Sequence, residues 1–161
     1  MSRTKTGYVS LVRVRFNECD PLGHVNNAVY LNYLEQVAID HASAMGWSGA
    51  KLKELVGAVF VARKHEITYH QPAFENDWLL VCTWPTEMRG ARGMRSYSVS
   101  RFAGDREGWV DRVVPFAELP EVDKRDMVVS AQTEWAFMNV TTGRPARIPV
   151  EVARDFIEVE A

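Results

Sequence analysis

The chain has 161 residues, 47% hydrophobic and 25% charged, which are the proportions of a folded soluble protein and not of a disordered or membrane-spanning one. A formal net charge of -2 with no long basic run excludes the electrostatic footprint of a nucleic-acid-binding protein and points to a small-molecule partner. The cysteines are Cys19 and Cys82 alone, and Met1 to Ser10 lack the apolar stretch of a signal peptide or membrane anchor; one cytoplasmic domain spanning 1–161 is expected.

In chain order, Tyr8 to Phe16 alternates, with Val12, Val14 and Phe16 opposite Arg13 and Arg15, as in a half-buried strand. From Asn27 the period becomes helical. Tyr30, Leu31, Leu34, Val37, Ala38, His41, Ala42 and Met45 form one apolar stripe, which Gly46 ends. A short helix is predicted from Ala50 to Val56, closed by Gly57, and strands dominate thereafter. These are Val59 to Tyr69, Trp78 to Trp84 with Pro85 as its stop, Met94 to Phe102, and Val128 to Val140. Residues 104–126, with Pro115 and Pro120, read as a loop insertion. A last helix is predicted from Val150 to Ile157, after Pro149. The order implies an α+β fold in which an antiparallel sheet wraps one long apolar helix, with open edges that favour a homodimer or homotetramer.

The segment Asp20-Pro21-Leu22-Gly23-His24-Val25-Asn26-Asn27 places a carboxylate, an imidazole and two amides between a strand and a helix N-terminus. Gly23 permits close backbone approach, and the first helical N–H groups, near Asn27, have no partner inside the helix. They form a ready oxyanion site. Asp20 beside a carbonyl held there could attack it or deprotonate a water. A thioester suits this arrangement because its thiol, with a pKa of roughly 8.5, departs without a strong general acid. Each residue taken singly is also an ordinary cap or turn residue. Glu35, at the border of the stripe, is either a partly solvated side chain or a second carboxylate near the site.

The run from Asp20 through Tyr30, followed by Glu35, resembles the signature of hotdog-fold acyl-CoA thioesterases of the 4-hydroxybenzoyl-CoA thioesterase type. Ile67-Thr68-Tyr69 with Pro72-Ala73 and Asp77 resembles the family's next strand pair, and Thr142-Gly143-Arg144-Pro145 with Arg147-Ile148-Pro149 its last turn. The resemblance implies a hotdog fold with sites at a dimer interface, and hydrolysis of an acyl-CoA or acyl-carrier-protein thioester. It further implies Asp20 as the catalytic carboxylate, the Asn27 N–H as carbonyl polariser and His24 beside them. Gly23, Val25, Asn26, Tyr30 and Glu35 would contact substrate. No cofactor is implied beyond coenzyme A within the substrate or product. Some members have histidine in place of Asn27 and tyrosine in place of Phe16, so any hydrogen bond those groups give the carboxylate is missing here. The rival reading is a non-catalytic acyl-thioester binding module in which Asp20 only caps.

Other signals point elsewhere than chemistry. His65 and His70, five apart on a strand, face opposite ways, and no metal-ligand spacing occurs. His41 on the apolar stripe reads as a core histidine with a hydrogen-bond partner. Gly46-Trp47-Ser48-Gly49 is not a nucleophile elbow. Arg89, Arg92 and Arg95 could meet coenzyme A phosphates, but read better as a solvated face.

Overall fold

The computed structural model describes residues 3–160; Met1, Ser2 and Ala161, which fall within the N-terminal stretch and domain bounds read above, lie outside the described residues. The strands are β1 (Thr6–Arg13), β2 (Ala58–Tyr69), β3 (Trp78–Arg89), β4 (Arg92–Arg101), β5 (Arg112–Pro115) and β6 (Met127–Asn139). They form a six-stranded sheet in the order β2-β6-β4-β3-β1-β5. Every neighbouring pair is antiparallel. The α-helices are α1 (Val29–Ala44), α2 (Gly49–Val56) and α3 (Val150–Phe156).

Helix α1 follows its stripe: Tyr30, Tyr33, Leu34, Val37, Ala38 and His41 are buried, and Gly46, at φ 86°, turns the chain away after the Met45 C-cap. These side chains pack on the sheet face carrying Tyr8, Leu79, Val81, Tyr97, Val99, Val129 and Ala131. Each fully buried aliphatic side chain in this layer contributes about 1.5–3 kcal/mol. A second cluster joins Leu52 of α2 and Val152, Ala153 and Phe156 of α3 to Phe137 of β6. Helix α2 begins at an N-cap, the Ser48 Oγ accepting the Lys51 N–H at 3.2 Å.

Three expectations are corrected. Pro85 does not stop its strand: β3 continues to Arg89, with a register shift between Pro85 and Glu87 that absorbs the missing N–H. The stretch 104–126 contains β5, which pairs with β1, and this strand and its flanks bring Trp109, Val114 and Leu119 onto the outer face of the sheet against Val9, Leu80 and Cys82. Gly7 is required under this cover, because a Cβ there would lie 2.8 Å from a Leu119 methyl and 2.9 Å from the Thr83 carbonyl oxygen. Thirdly, the arginines do not share one solvated face. Arg92 is exposed and pairs with Glu134 at 2.7 Å and Glu87 at 3.1 Å, whereas Arg95 is only 7% exposed. Strand alternation decides this, since Arg95 shares the α1-facing side of β4 with Tyr97 and Val99.

Candidate active site

The loop between β1 and α1 is pinned on both flanks. Cys19 bridges Val25 and His24 bridges Phe74 in antiparallel pairs, the Val25 N–H donates to the Ala73 carbonyl at 2.9 Å, and the Asn26 N–H to the Glu18 carbonyl at 2.9 Å. Inside it the chain folds back on Asp20. The Asp20 N–H donates to the His24 carbonyl at 2.7 Å, and the Gly23 N–H to the Asp20 carbonyl at 2.9 Å. Gly23 stands at φ 80° with open space where a Cβ would go, so the turn needs glycine for its dihedral and not for room.

Asp20 is half-buried, and its two oxygens differ. Oδ1 accepts from the Leu22 N–H at 2.9 Å and the His24 N–H at 3.1 Å; Oδ2 has no hydrogen bond among the described residues. One oxygen thus orients the carboxylate and the other is left for a ligand or water. The His24 ring packs edge-on to Phe74, centroids 5.1 Å apart at 84°. Next along, the Asn26 Oδ1 accepts from the Ala28 N–H at 3.0 Å and its carbonyl from the Val29 N–H at 2.8 Å. Asn26 therefore serves the entry to α1 in place of the Ala28 N-cap, whose side chain cannot. Asn27 is exposed; its carbonyl accepts from the Tyr69 hydroxyl at 2.9 Å, while its own N–H has no partner among the described residues.

Asp20, Gly23, His24, Asn26 and Asn27 therefore stand in one loop, with Oδ2 of Asp20 and the N–H of Asn27 both unengaged. Val25 and Tyr30 are placed differently. Val25 is 3% exposed and Tyr30 2%, both within the α1-facing core, where the Tyr30 ring meets Tyr33 and Tyr69 at centroid distances of 6.0 and 5.7 Å. Burial raises the Tyr30 phenol above its ordinary value, so it stays protonated. Glu35 lies six residues beyond Val29, roughly 9 Å along the helix axis, and is exposed.

A second polar group surrounds Glu35 and was not legible as a unit. The Glu35 carboxylate lies 3.9 Å from His65 Nε2 of β2, and His65 Nδ1 is 2.8 Å from the Thr133 hydroxyl of β6. Alongside, the Tyr97 hydroxyl and the Trp135 indole N–H are buried close to Thr133 and to each other, without a well-aligned hydrogen bond among the described residues. The signal that could have found His65 is its alternation with Ile67, which packs into the α1-facing core. Among the described residues no cluster of His, Cys, Asp and Glu could hold a metal ion, and no helix is long and apolar enough to cross a membrane.

Solved structures share this architecture. A 1,4-dihydroxy-2-naphthoyl-CoA thioesterase from Synechocystis is 16% identical, with 92% of this chain and 93% of that one covered at a TM-score of 0.72. A 4-hydroxybenzoyl-CoA thioesterase mutant complexed with 4-hydroxybenzoyl-CoA is 20% identical, covering 92% and 97% at 0.72. A DHNA-CoA thioesterase from Staphylococcus aureus is 18% identical, covering 88% and 80% at 0.68. No curated protein sequence matches the chain significantly. These likenesses identify the fold as the α+β hotdog. The model of the thioesterase-like superfamily matches residues 14–156, and the chain belongs to that superfamily of thioester hydrolases.

Proposed function

We propose that the chain hydrolyses acyl-CoA thioesters at the Asp20 loop. The observation that carries this reading is the pairing, in one pinned loop, of a carboxylate oxygen and a backbone N–H that the fold leaves unused. The thioester carbonyl oxygen accepts from the Asn27 N–H at the entry to α1, where the helix dipole favours developing negative charge. Asp20 Oδ2 takes a proton from water, and the resulting hydroxide adds to the carbonyl carbon. The oxyanion collapses with cleavage of the C–S bond, and the thiolate leaves with little help because its conjugate acid has a pKa of roughly 8.5. Gly23 and His24 border the approach, and Tyr30 supports the loop from beneath through its contact with Tyr69.

Assembly of two copies through the β2 edge fits the same reading. Strand β2 offers 12 residues at the end of the sheet, with Glu35 and His65 beside it, and an edge that long is normally paired or covered. The test is thiol release from short-chain, long-chain and aromatic acyl-CoAs. Turnover of at least one class, with no metal or cofactor added, supports the reading; tight binding of all of them without release establishes the binding module instead.

A further inference from the structure

A cavity of about 140 Å³ lies between the C-terminal half of α1, helix α2 and the sheet. Its walls are apolar, chiefly Leu52, Phe60, Met88, Trp135 and Phe156, with Ile39, 54% exposed, at its mouth. Arg95 is the charged residue among those lining it.

Arg95 is 7% exposed, yet no carboxylate pairs with it among the described residues. Its Nη1 donates to His41 Nδ1 at 2.9 Å and to the Thr83 hydroxyl at 3.2 Å. Burial and the neighbouring guanidinium drive His41 down to about 3, so the imidazole is neutral and accepts at Nδ1; its Nε2–H then donates to the Thr6 hydroxyl at 3.0 Å. Burial lowers Arg95 only to about 10, and it remains a cation at neutral pH. The fold has thus fixed a guanidinium at a cavity wall with neutral partners on one nitrogen and no counter-ion. Burial of a charge in this way is costly unless something compensates it, and a carboxylate is the group that the guanidinium fork matches best.

We propose that this cavity binds a small apolar group bearing a carboxylate, with Arg95 as its counter-ion. A void of this size holds a body of about one benzene ring or the equivalent short chain. Two sources share that chemistry: the far end of a long-chain thioester whose acyl group carries a second carboxylate, or a free carboxylic acid. The first source rests on the thioesterase reading, whereas the pocket itself does not.

The experiment is calorimetric titration of the full chain with hexanoate and with its neutral counterpart hexanamide, on wild type, Arg95→Met, Arg95→Lys and Ala42→Phe, each checked for folding by circular dichroism. Hexanoate should bind wild type at least tenfold more tightly than the amide. Arg95→Met should remove that advantage, Arg95→Lys should keep part of it, and Ala42→Phe, which fills the cavity without touching the charge, should weaken both ligands. Equal affinity for the two ligands, or no binding of either, would overturn the proposal. Arg95 meets His41, twelve residues and roughly 18 Å along α1 from Val29, so a tenfold lower KM for hexadecanedioyl-CoA than for palmitoyl-CoA, lost in Arg95→Met, assigns the carboxylate to the acyl group. Equal KM values with selective hexanoate binding assign the site to a free acid. Selective binding by a chain that releases no thiol upholds the pocket and overturns only the hydrolase.

Discussion

The two ends of α1 handle charge in opposite ways. At the N-terminal end the Asp20 carboxylate sits half-buried in a loop, with Oδ1 held by two backbone donors. Along the C-terminal half, Arg95 and His41 are buried beneath the helix, at 7% and 0% exposure, and bonded to each other and to threonines. The Asp20 arrangement has a sufficient structural explanation as a turn, so function there must be argued from what the turn leaves unused. The Arg95 arrangement is explained only in part: Nη1 satisfies His41 and Thr83, but no carboxylate among the described residues balances the charge. A buried charge without a balancing carboxylate is the stronger pointer to a ligand, although the sequence draws the eye to the other end.

Removing His41 should produce the largest loss of stability. His41→Ala takes a large side chain out of a sealed site and deprives Arg95 of an acceptor, for roughly 3–5 kcal/mol in denaturant unfolding. Acid should act through the same residue. The unfolded imidazole gains a proton as pH falls through 6.5, but the folded one only near 3, so stability present above 6.5 is lost across that window at about 1.4 kcal/mol per pH unit. Urea titrations should show roughly 2.5 kcal/mol less stability from this group at pH 4 than at pH 6, and His41→Asn should flatten that part of the profile. At the opposite end the effects are smaller. Asn26→Ala removes the acceptor for the Ala28 N–H and should cost about 1 kcal/mol. Tyr69→Phe, which releases the Asn27 carbonyl, should cost about 0.5–1 kcal/mol.

Local patterns carried much of the fold. The apolar stripe of α1, the glycine stop at Gly46, the strand boundaries at Trp78 and Tyr69 and the polar density from Asp20 to Asn27 are all properties of neighbouring residues, and all are read directly. What depends on distant partners is not. Strand β5 exists because Gly7 to Val9 lie beside Arg112 to Val114, about a hundred residues away in sequence, and Pro85 is tolerated only because the register against β4 shifts there. Arg95 is an intermediate case. The alternation that puts Tyr97 and Val99 under α1 puts Arg95 there too, and the general exclusion of charge from interiors argued the other way. Val25 and Tyr30 show the converse, since their burial, unlike their nearness to Asp20, depends on the strands that α1 packs against.

The hydrolase reading requires that Asp20 does chemistry and does not merely hold its turn. Asparagine keeps a carbonyl oxygen able to accept from Leu22 and His24, whereas alanine keeps neither oxygen, so the two substitutions separate the roles. The measurement is thiol release from a turned-over acyl-CoA by wild type, Asp20→Asn and Asp20→Ala, with the melting temperature of each. Asp20→Asn should melt like wild type but lose about 10³-fold in kcat/KM, and Asp20→Ala should be equally inactive and less stable. Wild-type rates in Asp20→Asn, with activity lost only where the melting temperature falls, would contradict the hydrolase reading.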